Sequence, residues 1–309
     1  EDRKKLVICG ISAGFASVFG TPIAGAIFGV EVLFMGNLLY SVLLPSFISG
    51  MISFQISSLM GIQYHYFEMA FTKLFDPTFF LIVILAGVFF GIVSVIFIET
   101  LKYSEKVANK INLWAPYKGI IGGALLILIT LIFSKTYLGL GLETIDQALL
   151  NGTIIWYAFL VKIIATAVTL AFGGSGGVIT PIFFIGSTAG VAFAKLFSLD
   201  PTIFAAFGLV SVLAGAANTP LAACILAVEL FGSAIAPYAT IACILSFLMT
   251  GYRSVFPSQI LSFAKSQNIV TKNGDEVEDV KVSYDYKTKK MMASSRVYAK
   301  KLLKKKNKH

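Results

Sequence analysis

From Leu6 to Thr250 the chain is a succession of long apolar runs separated by short polar stretches or by Gly and Pro. Leu6–Phe34 is interrupted at Gly20-Thr21-Pro22, which predicts two half-helices meeting at a break. Leu38–Met60 is a further segment with Pro45 near its start, and Ile62–Asp76 mixes aromatic and charged residues as an interfacial connection does. Phe79–Ile98 carries no charge over 20 residues, enough to cross a hydrocarbon core of roughly 30 Å. Glu99–Tyr117 reads as a polar connection ending in the anchor Trp114-Ala115-Pro116-Tyr117, and Gly119–Phe133 as a shorter segment that crosses at an angle or only partly. After a break at Gly139-Leu140-Gly141-Leu142-Glu143, runs follow over Ile154–Leu170, Ile182–Leu196, Ile203–Ala217, Leu221–Phe231 and Ala234–Thr250. Residues 1–264 therefore read as a membrane domain and 265–309 as a polar tail too small for a substantial domain of its own.

The interruption with the most chemistry is Gly173-Gly174-Ser175-Gly176-Gly177, followed by Val178-Ile179-Thr180-Pro181. Four glycines around one serine cannot continue a helix, and Pro181 suits the first turn of a new one. A helix starting at Val178–Pro181 turns unsatisfied N–H groups and a positive dipole end toward the gap, an anion site that needs no cationic side chain. Irregular backbone at membrane depth persists only where it is buried or lines a cavity. The competing reading is a tight helix-packing loop. Thr180 either lends its hydroxyl to the anion or caps its own helix.

Composition agrees with a membrane protein: 57% of residues are hydrophobic and 13% charged, against about 25% in soluble domains. The net charge of +9 is a property of the tail. Residues 281–309 hold 11 Lys/Arg and one acid, so the rest of the chain sums to −1 and offers no basic surface for nucleic acid. By the positive-inside tendency the tail is cytoplasmic. Cys9, Cys224 and Cys243 lie singly in apolar runs and His65 and His309 are the only histidines, so no metal site, cofactor or histidine chemistry is expected. Lys162 and Lys195 could draw anions into a vestibule, but snorkelling to the interface is the expectation.

The chain also repeats itself. Setting Pro22 on Pro220 matches Gly10/Gly208, Ala16/Ala214, Thr21/Thr219, Ala24/Ala222, Ile27/Ile225, Val30/Val228 and Glu31/Glu229, eight identities in 24 positions where composition gives roughly two or three. Short, broken apolar segments in matching positions are the signature of carriers and pores built from repeats. The pattern leaves open whether the copies are parallel or inverted. Glu31 and Glu229, as intramembrane acids, are functional candidates by default, yet their equivalence favours a shared architectural role. The first-repeat counterpart of the glycine-rich break falls upstream of residue 1.

Gly173–Pro181 with IFFIGSTAG, GAANTPLAACILAVEL and GTPIAGAIFGVEVL resembles the CLC chloride channels and anion/proton antiporters, over roughly residues 5–265. The resemblance implies an all-α integral membrane fold, a CLC-type double repeat of broken and tilted helices. It implies a non-enzymatic function, conduction or exchange of small anions through a pathway in each subunit. It also implies a homodimer joined around Ile23–Phe34 and Leu221–Thr250, in the plasma membrane. Gly177-Val178-Ile179-Thr180-Pro181 matches the family's Gly-x-Phe-x-Pro signature, which places Gly177 and Thr180 at the anion and the N–H groups of Val178 and Ile179 upon it. Phe256 stands in the stretch where the family often has an anion-contacting tyrosine. The two other signatures, including the gating glutamate, belong upstream, so the chain is expected to be truncated there. Val32 stands where chloride antiporters of the family typically carry an inner proton glutamate, which puts proton coupling in doubt. Chloride is the expected substrate and fluoride export the alternative, since Thr180 is reminiscent of that branch although Val178 stands where it tends to have an acid.

Two readings from other classes were weighed on the residues. A carrier of a small organic anion would use the same half-helix dipoles. An intramembrane protease would use Ser175 in Gly-x-Ser-Gly, but it needs a histidine on a neighbouring buried helix, and neither His65 nor His309 is so placed.

Overall fold

A computed structural model describes residues 2–36, 38–67, 69, 76–150, 154–261, 269–270, 277 and 283–284. The tail from 265 onward lies mostly outside them. Eleven α-helices carry the described chain: α1 (Asp2–Phe19), α2 (Pro22–Val32), α3 (Leu43–Leu59), α4 (Pro77–Lys110), α5 (Ala115–Ile132), α6 (Leu142–Leu150), α7 (Ala158–Ala171), α8 (Ile179–Leu196), α9 (Pro201–Ala217), α10 (Pro220–Phe231) and α11 (Ala236–Thr250). Among the described residues five spans are long and apolar enough to cross a membrane: Tyr40–Leu59, α4, α5, α8 and Ser233–Thr250. α2, α7, α9 and α10 are shorter apolar helices.

Breaks fall where Gly and Pro predict them. Gly20 (φ +69°) ends α1, and Pro22 opens α2. The aromatic connection closes over this break: the Tyr64 hydroxyl donates to the Ser17 carbonyl at 2.7 Å and the Tyr66 hydroxyl to the Gly20 carbonyl at 2.8 Å. Two boundaries differ from the sequence reading. α4 does not stop at Ile98 but runs 34 residues to Lys110. Glu99–Lys110 contains neither Gly nor Pro and is rich in helix formers, so polarity changes the helix's surroundings without ending it. α5 is a full 18-residue span.

The core is centred on α9, in which every residue from Phe204 to Ala217 is buried. Its tightest neighbour is α8. Gly186 and Gly190 of α8, four residues apart and so on one face, meet Gly208 of α9. A Cβ on Gly186 would strike the Gly208 carbonyl, one on Gly190 the Phe204 carbonyl, and one on Gly208 the Gly186 carbonyl. Small residues bring backbones together in this way within membranes. By contrast α5 buries only Gly122 and α3 only Ser46 and Gly50, leaving apolar flanks suited to lipid.

The repeat is visible as a reciprocal exchange of carboxylates. Glu31 of α2 accepts hydrogen bonds from the Leu221 and Ala222 N–H groups at 3.1 and 2.8 Å. Glu229 of α10 accepts from the Ile23 and Ala24 N–H groups at 3.0 and 2.7 Å. Each acid sits near the end of its own helix and satisfies the first turn of the other, which requires α2 and α10 to run antiparallel. Reciprocal contacts between equivalent residues are the mark of a two-fold relation. The copies are therefore inverted, and both glutamates have the architectural role that their equivalence suggests. Glu31→Ala is expected to cost about 2 kcal/mol, since a buried N–H left without an acceptor costs about 1–3 kcal/mol. Glu229→Ala should cost less, because Glu229 is only half-buried and water can replace it. Denaturation in detergent, followed by tryptophan fluorescence, would measure both.

Two short strand pairs lie toward the C-terminal side. β1 (Phe34–Met35) pairs in parallel with β2 (Ile260–Leu261), and β3 (Ile269–Val270) with β4 (Ser283–Tyr284) antiparallel. Gln259 welds this region to the helices: its Nε2 donates to the carbonyls of Val32 at 2.8 Å and Ala217 at 3.1 Å, and its Oε1 accepts from Asn218 Nδ2 at 3.0 Å. The tail is not wholly detached, for Val277 is buried with Met35 and Leu261 and its N–H donates to the Gln259 carbonyl at 2.8 Å.

Candidate functional site

α7 ends at Ala171, and residues 172–178 carry the chain to α8. Gly173 sits at φ +90°, a conformation that a side chain would strain. Gly174 is pressed on the Thr169 carbonyl, to which its N–H donates at 2.8 Å. Gly176 and Gly177 face open space, with no atom within 4 Å of where a Cβ would stand. Close packing thus accounts for Gly174 alone. The glycines that bring helices together are Gly186, Gly190 and Gly208, a G-x-x-x-G spacing legible in Gly186-Ser187-Thr188-Ala189-Gly190.

Val178 is the N-cap of α8 (φ −93°, ψ −18°) and contributes no side-chain cap bond. The helix's first backbone bond runs from the Ile182 N–H to the Val178 carbonyl at 3.0 Å. The N–H groups of Val178, Ile179 and Thr180 precede it, and among the described residues no carbonyl accepts from them. The Thr180 hydroxyl likewise makes no hydrogen bond among the described residues, so it does not cap its own helix.

Two cavities flank this turn. One of about 380 Å³ is lined by Phe15, Phe28, Ile179, Phe256, Ser258 and Gln259, among others. The other, of about 170 Å³, is lined by Gly177, Gly176, Ser175, Pro181, Thr166 and Lys162, among others. The structure therefore brings Ile179 and Phe256 together and sets Gly177 on the opposite side of the turn; Val178 and Thr180 line neither cavity. Phe256 is held by a bond from its own N–H to Ser254 Oγ at 3.0 Å.

Lys162 corrects the snorkelling expectation. It is 2% exposed, and its Nζ donates to the carbonyls of Tyr137 at 3.2 Å and Gly139 at 2.6 Å while lying 4.8 Å from the centroid of the Phe184 ring. A buried cation is retained when carbonyls satisfy it, and here they come from the Gly139–Gly141 break, whose positive φ angles turn the chain back. Lys162 brings an amine into the cavity that Gly177 lines, which the glycine pattern alone does not provide. Lys195 is exposed and donates to the Ile154 carbonyl at 2.6 Å.

Helix ends, irregular glycine backbone and two cavities meet at this turn, and comparison with known proteins gives this arrangement a family. A family model described as "Voltage gated chloride channel" matches residues 1–251. The chain belongs to the voltage-gated chloride channel, or CLC, family. A chloride/fluoride channel protein of Pseudomonas syringae pv. tomato is 36% identical over 272 residues, covering 86% of this chain and 60% of the relative. Among solved structures, a CLC-type fluoride/proton antiporter superposes with a TM-score of 0.80 at 30% identity, covering 84% of this chain and 66% of that one. A slow cyanobacterial Cl⁻/H⁺ antiporter shares the fold with a TM-score of 0.69 at 20% identity, covering 80% and 61%. The fold is thus the all-α membrane architecture of CLC proteins, with the inverted repeat set by Glu31 and Glu229. The chain spans about three fifths of the length of the curated CLC relative named first.

Proposed function

We propose that the complete protein conducts or exchanges small halides, with the ion held by the N–H groups of Val178 and Ile179 at the start of α8. The observation that carries this reading is that these donors precede the first helical bond of α8 in a turn flanked by two cavities. Backbone dipoles attract an anion without the tight grip of an ion pair, so the ion can leave as readily as it enters. Phe256 offers no hydrogen bond, but the edge of an aromatic ring is its electropositive part.

Chloride is the substrate that the motifs favour. Fluoride is supported by the names of two relatives, the Pseudomonas chloride/fluoride channel protein and the fluoride/proton antiporter. Val32, where chloride antiporters of the family typically carry an inner proton glutamate, favours uncoupled movement of chloride. The protein would work as a homodimer, since α2, α10 and α11 leave Ile23, Leu221, Val228, Ile244 and Leu248 exposed. A tail with 11 Lys/Arg in residues 281–309 supports a cytoplasmic C-terminus in the plasma membrane.

Liposomes containing the complete protein test the reading with chloride and fluoride electrodes. Either halide should leave loaded vesicles when a potassium ionophore relieves the charge, and the ratio of rates identifies the substrate. Proton movement against a halide gradient would overturn the uncoupled reading. Efflux of a small carboxylate with neither halide would favour the organic-anion carrier.

A further inference from the structure

We infer that Arg3 and Lys4 form an anion-capture site at one mouth of the pathway, from which a halide passes Ser258 to reach the Ile179 turn. This rests on the halide function proposed above. A cavity of about 230 Å³ is lined by Arg3, Lys4, Leu33, Phe34, Ser258 and Ile260, together with Val7. Leu33 and Ser258 also line the larger cavity that holds Ile179 and Phe256. The two hollows therefore share a wall, and the shared residue Ser258 presents an exposed hydroxyl that can donate to a passing anion.

Among the described residues the charges that line this mouth are of one sign. Asp2 pairs with Lys5 at 3.4 Å, leaving Arg3 and Lys4 without an ion pair among the described residues. Among the described residues no acidic side chain lines either cavity. The opposite wall is fixed. The Ile260 N–H donates to the Leu33 carbonyl at 3.0 Å, Phe34 pairs with Ile260, and Lys4 Nζ lies 5.8 Å from the centroid of the Phe34 ring. A cleft lined by one sign of charge between low-dielectric walls raises the local concentration of its counter-ion. The mouth lies on the side where the chain leaves β2 for the tail.

The test is halide efflux from liposomes of zwitterionic lipid containing the complete protein, as wild type and as the Arg3→Gln/Lys4→Gln double variant. At ~0.01 M halide, where charges act over ~30 Å, the variant should lose about threefold or more of the wild-type rate. At ~1 M, where the range falls to ~3 Å, the two should converge. Lys5→Gln, which removes a paired lysine outside the cavity, should leave the rate unchanged at both concentrations. Equal rates for wild type and double variant at low halide overturn the capture site and leave the halide function standing. A loss that persists at high halide overturns it in favour of a structural role. A loss seen only in vesicles containing anionic phospholipid overturns it in favour of lipid-headgroup binding. Wild-type protein that carries neither halide overturns both proposals together.

Discussion

Gly177→Leu is expected to reduce halide flux at least about tenfold, equivalent to about 1.4 kcal/mol on the barrier, while leaving the protein folded. No atom lies within 4 Å of where its Cβ would stand, and its φ is outside the left-handed region, so the substitution meets neither clash nor backbone strain. What it meets is the hollow itself: the isobutyl group would occupy the cavity of about 170 Å³ beside Lys162 and cover the approach to the first N–H groups of α8. Gly177→Ala, which adds only the Cβ, should give an intermediate rate. Thr180→Ala should stay within about twofold of wild type, since the donors proposed to hold the ion are backbone groups that survive any side-chain change. Electrode-monitored efflux from liposomes, normalised to protein with the wild-type gel-filtration profile, measures all three. Wild-type flux in Gly177→Leu would remove the site from this turn.

The contrast between Gly177 and Thr180 also shows what the sequence could and could not disclose. A glycine run closed by Val178-Ile179-Thr180-Pro181 encodes an interrupted helix locally, because each of those residues constrains its own backbone. The same holds at Gly20-Thr21-Pro22 and at Asn218-Thr219-Pro220, where the repeat places equivalent starts for α2 and α10. Lys162 was not legible, because the carbonyls of Tyr137 and Gly139 that retain it come from a turn more than 20 residues earlier. Nor was the orientation of the repeats, which follows from pairing Glu31 with Leu221 and Ala222 across 190 residues and more of sequence. In the sequence Arg3 and Lys4 are two charges before an apolar run, and only the placement of Ser258 beside them gives them a pathway to face.

Gly208→Leu is expected to do what Gly177→Leu does not and prevent the native fold from forming. The two positions are both glycines in a membrane protein, but their surroundings are opposite. Gly208 is fully buried in α9, and its Cβ would strike the Gly186 carbonyl while lying 3.1 Å from the Gly190 N. Backbone atoms of two packed helices cannot rotate aside as a side chain can, so α8 and α9 would have to separate along their length. Overpacking in a close-packed core costs about 1–3 kcal/mol and occasionally more, and here the displaced element is α8, whose first turn carries the proposed halide site. The variant should therefore aggregate or elute as heterogeneous oligomers from detergent extracts, with no recoverable flux. Gly10→Leu supplies the internal comparison. Gly10 is the repeat equivalent of Gly208, yet no atom lies within 4 Å of where its Cβ would stand in this chain. With no backbone against it, Gly10→Leu should leave the chain folded, with the gel-filtration profile of the wild type. Aggregation of Gly10→Leu to the extent seen with Gly208→Leu would show instead that the face of α1 at Gly10 is packed as the face of α9 at Gly208 is.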